Sequence, residues 1–227
     1  MVLTFFKSSS GDGDFERIVS KSVSMLGDAR HSFDLATLVL LTDADHETVA
    51  QDIRDTDNRI NTAEQELRSE LIVHVSVQGS ADIGSVLGFT LLLKKIERIG
   101  DQAKNILELS ENGVSLATTP EAARMLEDRQ LVSGLFAEAG ELLSNPTTDD
   151  AALDDYAARA DEVRERLQQE IDGYMASERP GREGGPLAIY ARYLRRIVAN
   201  LLGVVRTSAE PLPHVDYLEG GTIDTDD

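Results

Sequence analysis

The chain of 227 residues has no cysteine, no tryptophan, only 5% aromatic residues and six prolines. Without thiols, disulfides, thiolate metal sites and cysteine nucleophiles are excluded, so any metal must use oxygen or imidazole ligands. Bases are scarce too: 22 Lys and Arg stand against 41 Asp and Glu, for a net charge of −19. That balance repels nucleic acid and anionic lipid at long range. The spread of acids, from Thr147-Thr148-Asp149-Asp150 to the tail at 224–227, is compatible with a high-salt cytoplasm where self-repulsion is screened, an ordinary acidic protein being the alternative. Met1 to Phe6 is briefly apolar, but one Lys leads straight into the polar stretch Ser8 to Asp14. Neither a signal peptide nor a spanning helix is expected, which points to the cytoplasm, with any membrane contact made through a partner.

What is present is helix-forming: long runs rich in Ala, Leu, Glu and Arg, and 41% apolar residues, enough for a packed core. After a leader at 1–14, Phe15, Ile18, Ser22, Met25, Ala29, Phe33, Ala36 and Leu40 recur at helical spacing. A turn at 43–47 with an N-cap opens a second helix, whose stripe is Val49, Ile53, Thr56, Ile60, Ala63, Leu67, Leu71 and His74. A third helix starts at 80–82 and runs to Asn112-Gly113. Residues 115–119 read as a linker; then helices at 120–144 and 151–177 follow. A Gly/Pro-rich loop from Arg179 to Pro186 precedes a sixth helix from Leu187 to the neighbourhood of Pro211. The prediction is all-α, two tandem antiparallel three-helix bundles at 15–114 and 120–211, followed by an acidic tail at 212–227. Ile96 to Leu109 also aligns with Leu194 to Thr207 at an offset of 98, pairing Arg98 with Arg196 and Ile99 with Ile197.

The most informative stretch is Ile96-Glu97-Arg98-Ile99-Gly100-Asp101-Gln102-Ala103-Lys104-Asn105-Ile106. Glu97, Asp101 and Asn105 recur every four residues and stack on one helix face. They border the stripe of Leu93, Ile96, Gly100, Ala103 and Leu107, so two carboxylates stand at the margin of a packing surface. Left bare they would repel each other and lose hydration. The arrangement asks for a metal cation, a basic partner or a raised pKa.

Glu-Arg-Ile-Gly-Asp followed by Ala and Asn-Ile resembles the signature of the PhoU family, regulators of phosphate uptake built of two similar three-helix bundles. The resemblance implies that Glu/Asp-x-x-x-Asp pairs on facing helices hold iron or zinc. In the second helix Asp57-Asn58-Arg59-Ile60-Asn61 occupies the place of the family's Asp-x-x-x-Asp, with Asn61 replacing the second acid. The candidate metal ligands are therefore Asp57, Asn61, Glu97 and Asp101, with Glu64 a further oxygen donor. This set suits a weak site for Fe, Zn, Mn or Mg completed by water better than a multinuclear cluster. At the offset of 98, Glu97 becomes Arg195, Gly100 becomes Val198, Asp101 becomes Ala199 and Asn105 becomes Gly203, so at most one such site is expected. In the structural alternative, Glu97 pairs with Arg98, Lys94, Lys104, Arg54 or Arg59 and Asn105 bridges helices, exposed pairs of this kind being worth about 0.3 to 0.5 kcal/mol. Gly100 reads as packing in either case.

His31, His46, His74 and His214 are isolated and read as surface residues; no Ser-His-Asp order, phosphate-cradling loop or nucleotide fingerprint is present. Asp149-Asp150 and Asp154-Asp155 read as caps or solvated faces. Arg192, Arg195, Arg196 and Arg206 give the sixth helix a basic side that is either solvated or a landing for an acidic partner. The resemblance implies a non-enzymatic regulator, often a homodimer, that restrains a phosphate transporter of the ABC class or its sensor protein. The alternatives are an adaptor of another ion transporter, a helical scaffold, and a metal-carboxylate enzyme, which would want Glu-x-x-His motifs that the chain lacks.

Overall fold

In the structure, a computed structural model that describes residues 12–42, 44–78, 83–145 and 150–209, six helices account for most of the described residues: α1 (Asp12–Leu41), α2 (Glu47–Gln78), α3 (Ile83–Glu111), α4 (Ala122–Ser144), α5 (Asp150–Ala176) and α6 (Gly181–Ala209). No strand occurs among the described residues. The first eleven residues, the tail from 210 onward and His214 lie outside them, as do Asp43, the predicted start of α3 at 80–82 and most of the break before α5.

The stripes expected in the first two helices are largely buried, with Val49, Ala63 and His74 only half-buried. In α1, Ile18, Ser22, Met25, Leu26, Ala29, Phe33, Ala36 and Leu40 are buried; in α2, Ile53, Thr56, Ile60, Leu67 and Leu71. The internal repeat is visible in burial. Ile96, Ile99, Gly100, Ala103, Ile106, Leu107 and Ser110 of α3 are buried, and so are their counterparts 98 residues on: Leu194, Ile197, Val198, Leu201, Val204, Val205 and Ser208 of α6. Helices α1 to α3 pack on one another, α6 packs on α4 and α5, and α1–α4 and α3–α6 contacts join the two sets. The buried apolar residues form a single cluster drawn from all six helices.

Between α1 and α4, the rings of Phe33 and Phe136 sit 5.4 Å apart, a pair worth about 0.5 to 1.5 kcal/mol beyond its area. Arg129 beside them donates to Asp34 Oδ1 and to Thr37 Oγ1, both at 3.0 Å. The predicted linker is anchored: Leu116 is buried, and its N–H donates to Leu40 O at 2.9 Å.

Helix ends follow local chemistry. Asp45 Oδ1 accepts the Glu47 N–H at 3.0 Å and opens α2. Helix α3 ends on Gly113, whose φ of 80° is open to glycine at little cost. There Val114 N–H bonds Leu109 O and Gly113 N–H bonds Ser110 O, closing the last turn. One expected boundary is corrected. The segment from Arg179 to Pro186 is not all loop, because α6 begins at Gly181 and contains Pro186. Pro180 O accepts the N–H groups of Glu183 at 2.8 Å and Gly184 at 3.0 Å, so the helix starts there. Pro186 is the sixth residue of the helix, past its first turn, so the bond that an N–H there would make to Arg182 O is given up.

Candidate charged site between α2 and α3

The motif residues converge along the α2–α3 seam. Lys104 Nζ lies 3.0 Å from Asp57 Oδ2 of α2 and 3.6 Å from Asp101 Oδ1 of its own helix. Asn61 Nδ2 donates to Asp57 Oδ2 at 3.4 Å. Glu97 is held by Lys94 at 2.7 Å, its other oxygen, Oε2, buried without a partner. Burial pushes the Asp101 carboxyl up from its ordinary pKa, the charges of Glu97 and Asp57 add to this, and Lys104 opposes it. For Lys104, burial favours the neutral amine, but the hydrogen bond and charge of Asp57 and the charge of Asp101 together outweigh it and raise the pKa.

These partners complete an internal ion-pair network. Among the described residues no group of three or more His, Asp or Glu side chains is placed to hold a metal ion. The donor set of Asp57, Asn61, Glu97 and Asp101 does not fit a bound cation as it stands, because Lys104 reaches two of its carboxylates and Lys94 a third. Glu64 is turned to Arg68, 3.3 Å away on its own helix.

The remaining motif residues divide. Arg98 is exposed, while Arg54 pairs with Glu111 and Arg59 with Asp28 at 3.1 Å. Gly100 is buried, and a Cβ there would lie 3.1 Å from Ile60 Cδ1. Asn105 is half-buried on the same seam. His31 bonds Asp52 at 2.8 Å, joining α1 to α2 at the surface; His74 lines a cleft of 320 Å³ with Arg17, Ile18, Glu70, Val73 and Val77. On α6, Arg206 is drawn to Asp161 of α5 at 3.7 Å, and Arg195 buries its Nε, so this basic side is partly engaged within the fold.

Sequence reasoning missed a second charged cluster. Asp128 of α4 is 1% exposed and pairs with Arg166 of α5; Glu170 of α5 pairs with Arg124 at 3.2 Å. Burial raises the Asp128 pKa against the opposing charges of Arg166 and Arg124. Glu170 is raised in the same way, burial leading and the charge of Asp128 adding to it. The hydroxyl of Tyr190, on α6, is buried without a hydrogen-bond partner. The available signal was spacing: Asp128 falls on the stripe of Met125, Val132, Leu135 and Ala139.

Residues 22–110, from α1 to the last turn of α3, match the PhoU domain. This stretch is a PhoU domain. The match stops short of the linker, and beyond it the likeness is one of fold alone. That fold is similar to the crystal structure of PhoU from Pseudomonas aeruginosa, with a TM-score of 0.70 and 20% identity, over 87% of this chain and 96% of that one. No curated protein matches the chain by sequence. Among the described residues no helix is long and apolar enough to cross a membrane.

Proposed function

We propose that this protein regulates phosphate uptake from the cytoplasm by binding a phosphate transporter of the ABC class or its sensor protein, without catalysing a reaction, and that it does so as a homodimer. The match of 22–110 to the PhoU domain carries this reading. Two features of the fold support a protein-binding role. The polar residues of the α2–α3 seam are paired with one another instead of lining an open pocket. Ile72, Val73 and Val77 at the end of α2 are 62% to 75% exposed, and Ile83 and Leu87 of α3 are exposed as well, apolar side chains of the kind that mark protein-binding surfaces when they lie together.

The test is reconstitution. A phosphate ABC transporter in proteoliposomes is assayed for phosphate-driven ATP hydrolysis with and without the purified chain, and the two are run together on a sizing column. Reduced hydrolysis with co-elution supports the reading. Unchanged hydrolysis and separate elution, with both transporter and sensor protein tried, overturn it.

A further inference from the structure

Where carboxylates meet between helices, their repulsion is offset by a positive charge or by a raised pKa. In the first bundle three meet, Asp57 from α2 and Glu97 and Asp101 from α3. The positive charge comes from two side chains of α3 itself. Lys94 takes Glu97 at 2.7 Å, and Lys104 lies 3.0 Å from Asp57 and 3.6 Å from Asp101. A metal ion would instead need oxygens from several of these residues at about 2.0 to 2.6 Å from one point. Lys104 stands within ion-pair reach of both Asp57 and Asp101, where such an ion would have to bridge α2 and α3.

The second bundle is built differently. Its last helix has Arg195 and Ala199 at the positions of Glu97 and Asp101, and Asp161 of its middle helix pairs with Arg164 of its own helix, with Arg206 of the last helix a looser contact at 3.7 Å. Among the described residues, a base of the third helix held tightly to an acid of the middle one is thus particular to Lys104 and Asp57.

We infer that Lys104 is a built-in counter-cation: it occupies the role of a bound metal at the α2–α3 seam, so the bundle folds without metal, and the two carboxylates it reaches, Asp57 and Asp101, take a hydrated divalent cation only when the ammonium is removed. This does not rest on the regulatory reading above and can fail or hold independently of it.

The test uses the full chain, purified without chelator and then split into untreated and EDTA-treated halves. Elemental mass spectrometry reads the metal content and thermal unfolding reads Tm, with Lys104→Met and Lys104→Met/Asp57→Asn/Asp101→Asn run beside the native chain in buffer alone and in millimolar Mn2+. The expected result is a native chain with no stoichiometric metal and the same Tm after EDTA. Lys104→Met should then melt about 2 to 4 °C lower, the shift that ~1 kcal/mol produces in a chain of this size, and Mn2+ should raise it again, but not in the triple variant. Stoichiometric metal in the native chain, lost together with several degrees of Tm on EDTA treatment, would overturn the inference. So would a Lys104→Met chain indifferent to Mn2+. Should Lys104→Met fail to fold, Lys104→Arg keeps the charge. It should remain metal-free and insensitive to EDTA, and stoichiometric metal in it would count against the inference.

Discussion

Gly100 of α3 faces Ile60 of α2 so closely that a β-carbon at position 100 would lie 3.1 Å from Ile60 Cδ1. Both residues are buried, so the approach of α3 to α2, and with it the distance from Lys104 to Asp57, depends on the missing side chain. Gly100→Ala gains about 1 kcal/mol of helix propensity and spends a comparable amount moving the end of Ile60, so it should stay within about 1 kcal/mol of the native chain. Gly100→Val cannot be absorbed by one terminal methyl and should cost about 1 to 3 kcal/mol, as overpacking does. Urea unfolding of the two variants measures both, and a fully tolerated valine would show that the seam is looser than described.

Two buried tyrosines should respond in opposite ways to loss of the hydroxyl. Tyr156 donates to Leu135 O at 3.3 Å, whereas Tyr190 Oη is buried with no partner. Tyr156→Phe should destabilise by about 1 kcal/mol, the net worth of a typical hydrogen bond, while Tyr190→Phe should be neutral or stabilising because it removes an unsatisfied polar group. Denaturant midpoints at constant m-value settle the comparison.

Arg166→Met strands Asp128, which is 1% exposed. Removing the partner of a buried charge costs about 3 to 5 kcal/mol. Arg166 is itself 42% exposed and Arg124 still acts on Asp128, so about 2 to 3 kcal/mol is expected here. The pH dependence has a definite sign. Asp128 already has a folded pKa above its ordinary value of 3.8, and losing Arg166 raises it further. The folded state then binds more protons than the unfolded chain in the window above 3.8, so stability falls as pH rises through it. The cost of Arg166→Met relative to the native chain should therefore be smaller at pH 5 than at pH 8 in parallel urea titrations.

The helices, the repeat and the motif face were legible because they rest on periodicity. Burial of Ile96, Ile99, Ala103 and Ile106 and of their counterparts in α6 repeats the 98-residue offset read from sequence. The α6 boundary was misplaced because Gly and Pro at 180–186 signal a loop locally, while the carbonyl of Pro180 can still start a helix. The charged seam was only half legible. Spacing put Glu97 and Asp101 on one face, but which cation meets them depends on how α2 lies against α3, and that brings Asp57 to Lys104, 47 residues away. Asp128 escaped notice because a lone acid within an apolar stripe looks like noise until its partner on another helix is seen.

Asp57 and Asp101 should be unequal, although both are acids of the same cluster. Asp57 is 14% exposed and accepts from Lys104 and Asn61, whereas Asp101 is 44% exposed and stands against Glu97. Asp57→Asn should cost about 1 to 2 kcal/mol, the lower range for hydrogen bonds to charged groups. Asp101→Asn exchanges a weak ion pair for relief of repulsion and should lie within about 0.5 kcal/mol of the native chain. Their pH profiles separate them further. Asp101 has a raised folded pKa, so its contribution falls as pH rises above 3.8, and Asp101→Asn should flatten the stability curve there. Lys104 also has a raised folded pKa, so its contribution is complete below 10.5 and is lost as pH climbs through the higher folded value. Asp57→Asn should bring that alkaline loss to lower pH, because it removes the hydrogen bond and charge that raise the lysine. Equal costs for the two substitutions across pH 4 to 11 would show instead that the carboxylates act as a joint ligand set, with Lys104 incidental to them.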